Sequence, residues 1–141
     1  GVLAVFTPEA DPPASPAATQ PGRIAWHELI TTDREAALAF YGELFGWQPT
    51  EALDMGEQGI YQMYACGEHD LGGIMTPPPT MAGPPFWLYY INVIDLDQAL
   101  QAVTDGGGQI LNGPMEVPGG ARVAQCADPQ GAAFALLTAG G

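Results

Sequence analysis

Few side chains in this sequence are equipped for chemistry, and the spacing of those few is informative. Glu28 follows Trp26 by two residues in the run Ile24-Ala25-Trp26-His27-Glu28-Leu29. On an extended strand, residues two apart share a face, so Glu28 is expected to project beside Trp26 while His27 projects the other way. A carboxyl held against aromatic rings is partly desolvated. Its pKa rises, and a carboxyl titrating near neutrality can act as general acid or base. Paired with Arg122, the same group would be architectural instead. Tyr61, Met63, Met75 and Gln125 are weaker candidates for the same surroundings. His69 falls in the polar turn Gly67-Glu68-His69-Asp70 and is expected to be solvated. Cys66 and Cys126 have neither metal-binding nor redox spacing and read as two buried thiols in a reducing compartment.

The elements that must position these groups recur along the chain. A strand is expected over Ile24–Thr31. Thr31-Thr32-Asp33 then offers N-cap chemistry, with Glu35 in the first turn. Ala37, Phe40, Tyr41 and Leu44 form a helical apolar stripe over about Arg34–Leu44, and Gly46 stops it. Strands near Gly59–Cys66 and Leu71–Thr76 follow, and then a proline-broken connector from Pro77 to Pro85. The pattern begins again with the aromatic strand Phe86–Ile94. Asp95 caps a second helix carrying Leu96, Ala99, Leu100 and Val103 on one side. Strands near Gln109–Leu111 and Ala121–Ala127 lead through Asp128-Pro129-Gln130-Gly131 to a last strand, Ala132–Leu137. Asp33 and Asp95, Ala37 and Ala99, Leu38 and Leu100, and Gly46 and Gly108 are each 62 residues apart. A repeat of that length implies two similar units completing one sheet system. Residues 1–8 read as an extra apolar strand, 9–22 as a proline-rich linker, and 23–138 as the folded body, with modules at about 23–79 and 86–138.

Composition narrows the function classes. The chain has 141 residues, 47% of them apolar, which suits one domain with a real core. Lysine is absent, and three arginines face 16 acidic residues for a net charge of −13. Schiff-base chemistry and a phosphate-binding lysine are therefore excluded. Nucleic acid and anionic membranes are not expected partners. No run of 18 apolar residues and no signal-peptide pattern is present, so a cytoplasmic protein is expected.

The string Trp26-His27-Glu28-Leu29, Thr32-Asp33 and Phe40-Tyr41-Gly42-Glu43-Leu44-Phe45-Gly46-Trp47, together with the Asp128-Pro129-Gln130-Gly131 turn, resembles the vicinal oxygen chelate superfamily. That superfamily includes glyoxalase I, extradiol dioxygenases, epimerases and bleomycin-binding proteins. The resemblance implies an α+β fold in which two βαβββ modules form a curved mixed sheet around a cavity. It also implies four metal-ligand positions. Counted from the two aspartates and the late turn, these fall on Trp26, Tyr89, Ala135 and a site within Leu71–Met75. None carries a usual ligand, so neither a metal nor another cofactor is expected, and metal-dependent glyoxalase or dioxygenase activity is not. The cavity is expected to be lined by Trp26, Glu28, Trp87, Tyr89, Ala133 and Ala135, with Ile91 on the same side, and to bind a small apolar or aromatic molecule. Two alternatives are a metal-independent lyase or isomerase using Glu28 as acid/base, and a non-catalytic half of a larger assembly. The nearest subgroup often carries such domains in tandem. Val2-Leu3-Ala4-Val5-Phe6 resembles the closing strand Ala133–Leu137, so a homodimer or tandem partner is expected, with the extra strand padding a sheet edge or crossing to that partner.

Overall fold

The computed structural model describes residues 2–7, 9–10, 19–81 and 83–140. Strand β1 (Ile24–Ile30) leads into helix α1 (Arg34–Phe45), then β2 (Gln48–Asp54), β3 (Ile60–Cys66) and β4 (His69–Met75). The second module repeats the order with β5 (Phe86–Asn92), α2 (Leu96–Asp105), β6 (Gln109–Glu116), β7 (Arg122–Ala127) and β8 (Ala133–Thr138). Both helices start as their sequences require. The Asp33 carboxylate accepts from the Ala36 amide, and the Asp95 carboxylate accepts from the Gln98 amide. Gly46 ends α1 in the left-handed region, at φ 72°, and its amide donates back to the Gly42 carbonyl.

One curved sheet of eight strands results, in the order β2-β3-β4-β1-β5-β8-β7-β6. The modules meet where β1 and β5 pair antiparallel, with His27 directly opposite Tyr89. Within the modules, β1 runs parallel to β4 with Glu28 opposite Gly73, and β5 runs parallel to β8 with Tyr90 opposite Ala135. The 62-residue offset of the sequence repeat therefore holds in the register itself. It relates the modules by an approximate twofold passing between His27 and Tyr89.

The sheet has a helical face and an open face. On the helical face, α2 packs Leu96 and Leu100 onto Ala124, Cys126 and Leu136. Leu29, Tyr64 and Ile74 hold Ala37, Leu38 and Tyr41 of α1, together with Trp47 and Trp87. The open face has its own cluster, Leu88, Tyr90, Val123 and Ala135, joined by Trp26, Val117 and Leu137.

Two strands differ from the sequence expectation. The whole of β2 falls where no strand is expected, and β6 runs five residues beyond Leu111. Both are the outermost strands, and β6 is exposed at every position. An edge strand wet on both faces has no need of apolar alternation, which is the signal a strand is read from. Both also contain proline, at Pro49 and Pro114, which an edge tolerates. Residues 2–7 form no strand. Leu3–Phe6 instead lie across the helical face beside His27, Trp47, Trp87 and Tyr89. Residues 1 and 8 of the expected strand, and 11–18 of the linker, lie outside the described residues.

Tyr64 is fully buried, and its hydroxyl has no hydrogen-bond partner. Its ring is held by stacking on Trp47, 4.5 Å between centroids. A buried unpaired hydroxyl costs about 1–3 kcal/mol, whereas the ring alone does the packing. Tyr64→Phe is therefore expected to leave the fold intact and to raise its stability by about 1 kcal/mol, read by urea denaturation. A clear loss of stability would show that the hydroxyl is satisfied in solution.

Candidate functional site on the open face

Alternation along β1 places Trp26 and Glu28 on the open face, and the strand registers bring other elements to them. Glu28 is opposite Gly73 on β4, and Gly73 is opposite Met63 on β3, with Tyr61 and Met75 one step further on the same face. From β5 come Leu88 and Tyr90, and from β7 and β8 come Gln125 and Ala135. The Tyr61 ring lies over Gly73, where any Cβ would sit 2.1 Å from it. A glycine is thus what admits Tyr61 to the side of Glu28.

These groups form a connected polar chain among apolar walls. The Tyr90 hydroxyl donates toward both Glu28 carboxylate oxygens at 3.3 Å. Gln125 Nε2 donates to the Tyr90 hydroxyl at 3.1 Å. Trp26 Nε1 donates to the Tyr61 hydroxyl at 2.8 Å. Glu28 itself is only 7% exposed. Desolvation raises its carboxyl pKa above the usual 4.5, and hydrogen bonding from Tyr61 and Tyr90 opposes that rise without cancelling it. Burial and the nearby Glu28 carboxylate push both phenols well above their ordinary range, so they stay protonated as donors.

No arginine meets Glu28. Arg122 makes a two-pronged contact with Asp97 at 2.9 and 3.1 Å on the surface, and Arg34 pairs with its neighbour Glu35. Glu28 therefore relies on neutral hydroxyl donors, and the architectural ion pair with Arg122 is not formed.

The structure redistributes the other sequence-chosen residues. Ala135 is buried on the open face, and Ala133 shares that side at the exposed start of β8. Trp87, Tyr89 and Ile91 are on the helical face, away from Trp26 and Glu28. Trp87 packs against Tyr41 and Trp47, Tyr89 stands edge-on to His27 with ring centroids 5.7 Å apart, and Ile91 joins the α2 cluster. The reason is register. The repeat carries Trp26 onto Leu88 and Glu28 onto Tyr90, so the even-numbered residues of β5 face the site. Counting six residues back from Asp95, and seven back from Asp33, shifted the match by one. Tyr61, Tyr90 and Gln125 are the contributors that the sequence left weak or unnamed, and the unbroken 62-residue offset was the signal for Tyr90.

The four repeat-related positions on the open face are thus Trp26, Gly73, Leu88 and Ala135. They offer an indole, a hydrogen, an isobutyl and a methyl group, none of which donates an electron pair to a divalent ion. Among the described residues, no three His, Cys, Asp or Glu side chains come together as a metal cluster. The residues present do not fit the family's metal. Of the two thiols expected to be buried, Cys126 is, with its pKa pushed up, opposite to what a nucleophile needs, whereas Cys66 is exposed because it closes β3 at the turn into β4. His27 is half-buried on the helical face, and burial lowers its pKa.

No helix among the described residues is long and apolar enough to cross a membrane. The family model of the Glyoxalase/Bleomycin resistance protein/Dioxygenase superfamily matches residues 23–136. CFP32 of Mycobacterium bovis, provisionally named a glyoxylase, is 34% identical over 117 residues, covering 82% of this chain and 44% of that protein. The anthracycline biosynthesis protein DnrV of Streptomyces peucetius is 33% identical over 135 residues, covering 85% and 48%. The chain thus spans about half the length of these curated relatives. Methylmalonyl-CoA epimerase from Mycobacterium tuberculosis shares the fold, with a TM-score of 0.64 at 15% identity over 82% of this chain and 87% of that one. Hypothetical protein BH1468 from Bacillus halodurans has a TM-score of 0.66 at 18% identity, over 82% and 93%. With two βαβββ modules joined in one curved sheet and a family match over nearly the whole folded body, the chain belongs to the Glyoxalase/Bleomycin resistance protein/Dioxygenase superfamily.

Proposed function

We propose that the open face binds a small, largely apolar or aromatic molecule without a metal ion. The observation that carries this reading is the buried Glu28 carboxyl, held by Tyr90 and Tyr61 with no cation against it, in a wall of half-buried aromatic and thioether side chains. Trp26, Tyr61, Met63 and Met75 supply apolar contact area at low conformational cost, and Glu28, Tyr90 and Gln125 supply a few directed polar groups. A raised carboxyl pKa also favours a second reading, metal-independent lyase or isomerase chemistry in which Glu28 takes or gives a proton.

A thermal-shift screen of neutral planar compounds tests the first reading. A binder is expected to raise the melting temperature of the native chain and to lose roughly 10-fold or more in affinity on Trp26→Ala, since a buried aromatic contact contributes about 1.4 kcal/mol or more. Failure of every compound at millimolar concentration, or binding that ignores Trp26, would overturn it. Solvent deuterium entering a bound carbonyl compound, and lost on Glu28→Gln, would establish the second reading.

A further inference from the structure

A recess of about 470 Å³ opens on the helical face, behind the strand that carries Glu28. That volume falls among those of small-molecule sites, about 300–1,000 Å³. The recess forms where the modules join, with His27 of β1 directly opposite Tyr89 of β5, and Trp87 two residues before Tyr89 on the same face. Phe45 at the end of α1 and Trp47 just after it also line the recess, and Trp47 stands edge-on to Trp87 with ring centroids 6.1 Å apart. The chain's own Leu3–Phe6 completes the lining without filling it, since Leu3 stays 42% exposed and Phe6 83%. Every lining residue is apolar or aromatic except His27, and burial lowers the His27 pKa, so the imidazole is neutral near pH 7 and offers one donor and one acceptor. Among the described residues, neither the His27 ring nitrogens nor the Tyr89 hydroxyl has a hydrogen-bond partner, although the two rings touch. On the other side of His27 lies Gly72, and the unpaired, fully buried Tyr64 hydroxyl sits over that glycine. Three polar groups without partners thus lie in one row across β4, β1 and β5, beside aromatic walls.

We propose that this recess is a second binding site, separate from the open face, for a flat uncharged aromatic molecule bearing one hydroxyl or carbonyl group, with Leu3–Phe6 as its strap. The rings of Trp47, Trp87 and Tyr89 give face and edge contact to a flat apolar body. His27 and the Tyr89 hydroxyl take the polar group, and because each can donate or accept, a hydroxyl and a carbonyl are both served. Charge decides against ions. The net charge of −13 repels an anion, and the lining supplies no carboxylate to pair with a cation. Residues 2–7 belong to no strand or helix, so the strap can lift to admit the molecule and reseat on it without breaking a ladder. Reseating over a bound aromatic covers Leu3, Val5 and Phe6, which otherwise stay in water.

Isothermal titration calorimetry of the native 141-residue chain with 2-naphthol tests this. Saturable one-to-one binding is expected, with a dissociation constant of about 0.1–1 mM, the range open to a ligand of that size. The anion 2-naphthoate and the cation N-methylquinolinium should each bind about 10-fold more weakly or worse. Tyr89→Ala should weaken 2-naphthol about 10-fold or more, by losing ring and hydroxyl together. Tyr89→Phe, which keeps the ring and disturbs folding least, should weaken it about 3-fold. Leu3→Ser lies outside the sheet and leaves the folded body untouched, and it should also weaken binding about 3-fold or more. Trp26→Ala, on the opposite face, should leave it unchanged. No saturable binding at about 2 mM, equal or tighter binding of either ion, binding indifferent to both Tyr89→Ala and Leu3→Ser, or binding lost on Trp26→Ala alone would each overturn the proposal. The last result would put the compound on the open face and support the reading given for that site, so the two proposals fail separately.

Discussion

Gly72→Ala is expected to cost about 3 kcal/mol or more of folding stability, the upper range of single substitutions, because it forces packed backbone apart. Gly72 lies on β4 directly opposite His27 on β1, in the parallel pairing that closes the first module. A Cβ there would stand 1.8 Å from the His27 carbonyl oxygen and 2.7 Å from the Tyr64 hydroxyl. The first of these is backbone in a central strand and cannot turn aside, so β1 and β4 must separate. Gly73→Ala is the informative comparison. Its Cβ would meet the Tyr61 ring at 2.1 Å, and a side chain can swing where a carbonyl cannot. The expected loss there is smaller, about 1–2 kcal/mol, with Tyr61 displaced from its bond to Trp26 and the tryptophan fluorescence altered. Gly83→Ala, with open space around its Cβ, should change stability by no more than about 0.5 kcal/mol. Urea denaturation followed by fluorescence reads all three. Gly72→Ala matching Gly83→Ala would mean that the β1–β4 register is wrong.

The second large effect is a pH-dependent gap between the native chain and Glu28→Gln. Burial raises the carboxyl pKa of Glu28 in the folded state above its unfolded value near 4.5. The folded protein therefore keeps this proton to higher pH than the unfolded chain does. The stability linked to it is fully present below pH 4.5 and is lost as pH rises through the raised folded value. The substituted amide is nearly the same size, can still accept from Tyr90, and never ionises. At pH 4 the two proteins should be about equally stable. By pH 8 Glu28→Gln should be the more stable by about 1–3 kcal/mol, the scale of an incompletely satisfied buried polar group. Contributions of the other acidic residues cancel in the difference. Denaturation midpoints measured from pH 4 to 8 decide it. A gap of the opposite sign would mean that a cation reaches Glu28 in solution. The stabilised variant is also the natural control for function, because any binding or turnover it loses cannot be blamed on unfolding.

Much of the fold is legible in the sequence because it is written locally. Asp33 and Asp95 cap helices where they stand, and Gly46 ends α1 because the chain must turn left-handed there. The repeated aspartate, alanine and glycine positions reveal two similar modules before any contact is known. The pairing of Trp26 with Glu28 is legible as well, since β1 alternates and two residues apart on a strand means one face. Edge strand β2 is not legible, and β6 is legible only over Gln109–Leu111, because solvent on both sides removes the alternation that marks a strand.

What the sequence by itself determined was which local elements form and which residues share a face within one of them. What only the tertiary structure decided was which faces meet. Strand β5 reads Phe-Trp-Leu-Tyr-Tyr-Ile-Asn, with aromatic or aliphatic residues at both parities, so its own pattern does not say whether Tyr89 or Tyr90 turns toward Glu28. The antiparallel register with β1 settles that, and puts Tyr89 beside His27 on the other face. Tyr61 and Gln125 reach the site through pairings across β3–β4 and β7–β8, made between residues far apart in the chain. The absence of a cation at Glu28 is equally non-local. Arg122 is drawn to Asp97 on the surface, where hydrogen bonding and charge outweigh the desolvation that opposes the pair, and the carboxyl in the sheet is left with neutral hydroxyls. Periodicity encodes the direction of a side chain relative to its own strand, and a site assembled from six strands depends on how those strands are laid against one another.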